Sequence, residues 1–304
     1  MQKLHLGAAQ CALDLGDGSE RAEYVNQDYI LHKLGRPHRA IGIMYTYYPH
    51  DKQWPQRISK ACKDMNITFQ WDYPYDDYFP FNADGQPWEQ MRDIRRHGQD
   101  AALTLTLDCS LSDDELREVA RMLRPYGRMT IRINHECGGT WFTHNKRFTY
   151  EQVGKFFAHF SDIIHQEAPN VRTVFCAGFA QADGKLEKED EFAVAYRAAD
   201  VWSADCYLAL HYGWPYDVAE VGGGQYKADS VGMYYDMFRR TYERASSQFG
   251  AKPLVTAEFN TDGDVTGPRH QGESVIRFAE AFRDHQADWF KAISLYQFRD
   301  RGRL

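Results

Sequence analysis

Met129-Thr130-Ile131-Arg132-Ile133-Asn134-His135-Glu136 opens as a β-strand and closes on a cluster of chemistry, and Cys137-Gly138-Gly139-Thr140-Trp141-Phe142 follows directly. Charge, amide, imidazole and carboxylate fall between Arg132 and Glu136, a Gly pair comes next, and two aromatic residues close the stretch. A strand that ends this way presents a carboxylate at a sheet edge beside a flat hydrophobic platform. Functional residues at the ends of strands are the habit of parallel α/β folds. The stretch therefore asks whether the rest of the chain repeats its strand-and-helix pattern.

Working outward, strand-like runs recur at Leu4–Gln10, Ala40–Tyr47, Ile67–Asp72, Ala101–Cys109, Met129–Glu136, Arg172–Phe179, Val201–Leu208, Pro253–Asn260 and Ala292–Phe298. Most are continuous apolar runs with β-branched residues, as expected for parallel strands buried on both faces. Helical patterns separate them. Ser112-Asp113-Asp114-Glu115 places acidic residues before Leu116, Val119, Ala120 and Leu123, a helix start. Thr149-Tyr150-Glu151-Gln152 leads in the same way into Val153, Phe156, Phe157 and Phe160. Asp229–Phe249 and Glu273–His285 read as further helices.

Strand and helix alternating over the whole length predict an α/β fold, and the best fit is a (β/α)8 TIM barrel forming one domain over residues 1–304. Nine strand candidates are one more than that barrel takes. The preferred solution makes Leu4–Gln10 an extra N-terminal strand-like segment, Ala40–Tyr47 barrel strand one and Ala292–Phe298 strand eight. A helix around Glu20–Leu34 then fills the gap between strands eight and one. The rival solution counts Leu4–Gln10 as strand one and puts Ile67–Asp72 or Ala101–Cys109 in an elaborated loop. No Gly-x-Gly-x-x-Gly follows an early strand, which disfavours a doubly wound sheet.

At 304 residues the chain has the length for a barrel of roughly 250 residues or more. A net charge of −7 gives no footprint for nucleic acid and disfavours polyanions. No apolar run is long enough to span a bilayer, so no membrane is expected as partner. No N-terminal apolar region resembles a signal; the expectation is a cytoplasmic chain, or an extracellular one whose signal was trimmed. The six cysteines include no C-x-x-C pair, so a zinc knuckle is not expected. Cys109, Cys137, Cys176 and Cys206 fall at strand ends and read as small buried thiols. Aromatic residues make up 14% of the chain, which fits either stacking surfaces or an aromatic-rich core.

On the preferred count Glu136 ends strand four, and Pro253-Leu254-Val255-Thr256-Ala257-Glu258-Phe259-Asn260 carries Glu258 at the end of strand seven. Both carboxylates then sit at the C-terminal mouth of the barrel, where active sites of this fold are built. Two carboxylates across a barrel mouth are the equipment for glycoside hydrolysis, one protonating the leaving oxygen and the other attacking the anomeric carbon or activating water.

Arg132-x-x-His135-Glu136-x-x-Gly139-x-Trp141-Phe142 resembles the acid/base strand of glycoside hydrolase family 26, within clan A of retaining enzymes. Lys252-Pro253-Leu254-Val255-Thr256-Ala257-Glu258-Phe259 is similar to the nucleophile strand of that family, and Ala204-Asp205-Cys206-Tyr207 falls where it carries Asp-x-Tyr. The resemblance spans Met129 to Asn260. It implies a (β/α)8 barrel, Glu136 as general acid/base, Glu258 as nucleophile, and retention through a covalent glycosyl-enzyme, with carboxyl groups about 5–5.5 Å apart. It implies no cofactor and no metal. A neutral β-linked polysaccharide or oligosaccharide is the expected partner, β-mannan first, with β-1,3/1,4-glucan or xylan as alternatives. The family often has a further aromatic where this chain has Thr143-His144, a departure that bears on substrate.

Around the pair, Arg132 is expected on the side of Glu136, where a buried cation keeps Glu258 ionised; the alternative is a structural ion pair. Strand alternation points His135 away from Glu136. The resemblance gives His135 a contact to the sugar or to the nucleophile, the alternative being a hydrogen-bonded barrel histidine. Tyr207 is expected to donate to Glu258, a role the resemblance supports, or to be a core tyrosine. Trp141 and Phe142 read as a subsite wall or as a latch for the loop. Asn134, Asp205, Asn260, Trp71, Asp72, His211, Trp214 and Gln297 complete the candidate cleft of flat faces and hydrogen-bonding groups at strand ends. Two other classes stay open: a metal-dependent barrel hydrolase using His135, His211, Asp108 and Asp205, and a non-catalytic carbohydrate-binding barrel.

Overall fold

The computed structural model describes residues 11–14, 26–35, 38–51, 79–81, 85–139, 147–178, 183–208, 230–260 and 268–295. Its strands are β1 (Cys11–Asp14), β2 (Ala40–Tyr47), β3 (Phe79–Pro80), β4 (Asp100–Leu107), β5 (Met129–Ile133), β6 (Val171–Phe175), β7 (Val201–Tyr207), β8 (Leu254–Asn260) and β9 (Phe290–Leu295). Its helices are α1 (Gln27–Leu34), α2 (Gln86–Arg96), α3 (Asp113–Leu123), α4 (Tyr150–Glu167), α5 (Ala193–Ala198), α6 (Ser230–Phe249) and α7 (Pro268–Asp284). Every strand pairing is parallel, and β4 to β9 lie side by side in chain order with β2 next to β4. β3 is a two-residue addition beside Tyr45 and Thr46 of β2. The architecture is a curled parallel sheet with a helix between β1 and β2 and in each connection from β3 to β9, as the alternating pattern requires.

The pairings overturn the preferred strand count at the N-terminal end and favour the rival, in which a leading strand is strand one. β2 pairs with β4 over its whole length, from Ala40↔Asp100 to Tyr47↔Leu107. That leaves no place between them for Ile67–Asp72, which lies outside the described residues. β1 pairs with β9 through Cys11–Leu13 and with β2 through Ala12–Asp14, so the leading strand belongs between β9 and β2. It starts one residue beyond the expected Leu4–Gln10, itself outside the described residues. α1 follows this strand and leads into β2, instead of filling a gap after the last strand. Counted from β1 and leaving out the two-residue β3, β5 and β8 are the fourth and seventh strands of the parallel order.

The helix starts follow the sequence signals. Ser112 and Thr149 each complete a capping box, with Glu115 and Gln152 reaching back to the cap N–H; such a cap contributes about 1 kcal/mol. α3 then buries Leu116, Val119, Ala120 and Leu123, one stripe at helical spacing. In β4, Leu103, Leu105 and Leu107 alternate with Thr104 and Thr106, and all five are buried. The leucines join the apolar core with the α3 stripe, whereas the Thr106 hydroxyl accepts from the His135 N–H at 3.3 Å.

Aromatic residues fill much of the described core. Phe175 packs edge-on against Phe157, Phe192 and Tyr196, and Phe238, Phe278, Phe282 and Phe290 form a second group between α6, α7 and β9. Much of the aromatic surplus is therefore core. No helix among the described residues is long and apolar enough to cross a membrane.

Candidate active site

β5 ends at Ile133, three residues before the expected Glu136, and 134–139 form a turn. Asn134 and Glu136 both adopt left-handed backbone, with φ of 61° and 42°, a conformation that costs a non-glycine residue on the order of 1–3 kcal/mol and clusters at functional sites. Neighbouring strands hold the turn in place. Asn134 N–H donates to the Leu105 carbonyl at 3.0 Å, and the Asn134 side-chain carbonyl accepts from Leu107 N–H at 2.7 Å. Cys137 N–H donates to Cys176 O at 3.2 Å and Gly138 N–H to Ala177 O at 2.5 Å. Gly138 is required by this close approach: a Cβ there would lie 1.9 Å from the Ala177 carbonyl oxygen.

The two left-handed residues also cancel the alternation expected of His135 and Glu136. One acceptor or donor atom from each of His135, Glu136, Asp205 and Glu258 lies within 4.8 Å of the other three. Three segments far apart in sequence meet here because β5, β7 and β8 end at the same rim of the sheet.

Arg132 organises the group. Its Nη1 donates to Glu258 Oε1 at 2.5 Å, and its Nη2 donates to Asp205. His135 Nε2 hydrogen-bonds the same Glu258 oxygen. The Arg132, Asp205 and Glu258 side chains are 4%, 5% and 3% exposed, and Glu136 is half-buried. Burial disfavours the Arg132 charge, but the negative groups around it, Asp205 foremost, outweigh that and hold its pKa well above the ordinary value. At Asp205, burial pushes the carboxyl up; Arg132 opposes this, while Glu258 and Glu136 add to it. A buried cation bridging two carboxylates is what allows both to be packed out of water. The same four groups form a donor set for a hard cation, but Arg132 already supplies the counter-charge to two of its carboxylates.

The remaining predicted residues divide by position. Asn134 lies beside the cluster with its amide committed to the protein, the carbonyl to Leu107 N–H and Nδ2 to Cys109 Sγ at 3.2 Å. Asp108 turns away, accepting from Ser110 and from Arg147 at 2.6 Å, so it is not in the group that could bind a metal. Tyr207 and Asn260 end β7 and β8 as register partners; their side chains lie outside the described residues. So do Trp71, Asp72, Trp141, Phe142, His211, Trp214 and Gln297, and the segments Tyr73–Tyr78 and Val221–Gln225.

Sequence reading missed the backbone of Cys176–Gly178, which holds the 134–139 turn and accepts the Asp205 N–H at 3.0 Å. Cys176 is the small buried thiol that its strand-end position suggested, but its contact with Asp205 was not foreseen. The strand-end position of Cys176 was the available signal. Cys137, Cys176 and Cys206 are buried free thiols, and Cys109 is half-buried. Burial pushes the Cys137 thiol up to about 12, which makes it a packing residue and not a nucleophile.

No family model matches the chain, and no curated protein matches it either. Solved structures do. The GH53 catalytic domain of Ignisphaera aggregans superposes with a TM-score of 0.54 at 13% identity, covering 98% of this chain and 87% of that one. A β-D-glucuronidase from Dictyoglomus thermophilum gives 0.53 at 12% identity over 96% of this chain and 44% of that one. A hyperthermophilic β-glucosidase gives 0.52 at 10% identity, over 89% and 78%. At such identities the likeness is one of fold.

Proposed function

We propose that this chain is a retaining glycoside hydrolase of the clan A type, a single (β/α)8 domain whose ring closes through β1, acting on β-glycosidic bonds of a neutral polysaccharide or oligosaccharide. The observation that carries the reading is the approach of Glu136 and Glu258, one carboxylate oxygen of each lying within 4.8 Å of the other, while Glu258 is held by a buried arginine. Retaining enzymes keep their two carboxyl groups about 5–5.5 Å apart, whereas inverting enzymes need roughly 6.5–9.5 Å to seat a water. The fold likeness to named glycosidases adds support of a weaker, associational kind.

In this reading Glu258 is the nucleophile. Arg132 and His135 occupy its Oε1, so Oε2 attacks the anomeric carbon as the glycosidic C–O bond breaks. Glu136 gives its proton to the departing oxygen. In the second half Glu136 takes a proton from water, and that water displaces the Glu258 ester with a second inversion. Arg132 keeps Glu258 ionised for attack and stabilises it as a leaving group. β-mannan is the first substrate expected, ahead of β-glucan and xylan.

The test is a panel of manno-, gluco- and xylo-oligosaccharides, with the anomer released first followed by proton NMR. Cleavage of one series with the β-anomer appearing first is the expected result. An α-anomer first, or no cleavage of any β-linked series, rejects the proposal.

A further inference from the structure

The register between β7 and β8 slips just before the site. Ala204 pairs with Thr256, but the next residue, Asp205, pairs with Glu258, so Ala257 has no partner across the ladder. The other neighbour of β8 agrees: Thr256 pairs with Ile293 and Phe259 with Leu295, again one residue too many on β8. This is a β-bulge, which leaves the extra residue unpaired and re-aims the side chains that follow. An N–H removed from the ladder needs another acceptor. Ala257 N–H donates to Ser203 Oγ at 2.8 Å.

We infer that Ser203 is a positioning residue for the reaction: its hydroxyl holds the Ala257 bulge that turns Glu258 towards Arg132, His135 and Glu136. Ser203 touches the backbone of the bulge and acts on the carboxylate only through it. In an unbulged ladder Asp205 would sit opposite Ala257, and a one-residue shift sends a side chain to the other face of the sheet. Glu258 would then leave its Arg132 and His135 partners. The inference rests on reading Glu258 as the nucleophile.

Ser203 also lines a small cavity between β7, β8 and α6, together with Gly178, Thr241 and Tyr242. Ser203→Thr keeps the oxygen, while Ser203→Val has the shape of threonine and deletes it. The two variants, with Ser203→Ala and Glu258→Ala, are compared in the full chain using dinitrophenyl β-mannoside and β-glucoside. Hydrogen exchange at the Ala257 amide is followed in parallel and needs no substrate.

The expected result is a loss of kcat on the order of 10²-fold in the Val and Ala variants, the scale of a small misplacement of a reacting group. KM stays nearly unchanged, Ala257 exchanges faster, and Thr restores both readouts. Equal kcat and equal Ala257 protection in the Thr and Val variants overturn the positioning role. If that occurs while Glu258→Ala is inactive, the hydrolase reading stands and only the role of Ser203 fails. If Glu258→Ala keeps wild-type turnover, the reading fails and takes the inference with it.

Discussion

Arg132 is the residue on which the electrostatics of the site turn. Both of its terminal nitrogens are spent on carboxylates that have almost no access to water. Replacing it with Met leaves two buried acids facing each other without a counter-charge. Removing one partner of a buried ion group costs about 3–5 kcal/mol. Arg132→Met is therefore expected to lose stability of that order in urea denaturation, and most of its turnover. A variant within 1 kcal/mol of the parent (about a fivefold change in the folding equilibrium) would show that the bridge carries little. At this scale much of the site was legible: Arg132, His135, Glu136, Asp205 and Glu258 all carry chemistry at strand ends, and the chain brings them together. The facing of His135 was not legible. Period-two alternation separates it from Glu136, and the left-handed backbone at Asn134 and Glu136 that overrides alternation has no glycine to mark it.

Elements place these residues, and the loops at the opposite end of the strands hold the elements. Asp200, just before β7, accepts from Thr173 N–H of β6 at 2.9 Å and hydrogen-bonds His165 of α4 at 2.8 Å. Burial pushes this carboxyl up, but the His165 and Thr173 hydrogen bonds outweigh it and hold the pKa below the usual 3.8. A depressed carboxyl pKa gives stability that is fully present above the unfolded value and is lost as pH falls through the folded one. Asp200→Ala is expected to cost about 1–2 kcal/mol at neutral pH, with the difference from the parent shrinking as the pH falls below 3.8. Denaturation midpoints at both pH values check this, and a difference independent of pH would contradict it. The strands from β4 onward and both helix starts were readable because they depend on local spacing. The β8 bulge was not, because Thr256-Ala257-Glu258 alternates like any strand and only the register of its neighbours shows the extra residue.

For the whole molecule, α/β alternation gave the parallel sheet but misassigned its N-terminal edge. A short apolar run such as Ile67–Asp72 has the composition of a strand, and only pairing shows whether a ladder has room for it. The candidate site is unaffected by that error because β5 and β8 lie downstream of it. The central claim concerns two carboxylates with separate tasks at one rim. The most direct measurement is Glu258→Ala assayed on a β-linked aryl glycoside with and without sodium azide, with the product characterised by NMR. The account predicts turnover lost by about 10³-fold or more, as for removal of a catalytic nucleophile, then restored by azide with formation of the α-glycosyl azide. Undiminished hydrolysis in the variant, or a rescued product that keeps the β-configuration, would contradict it.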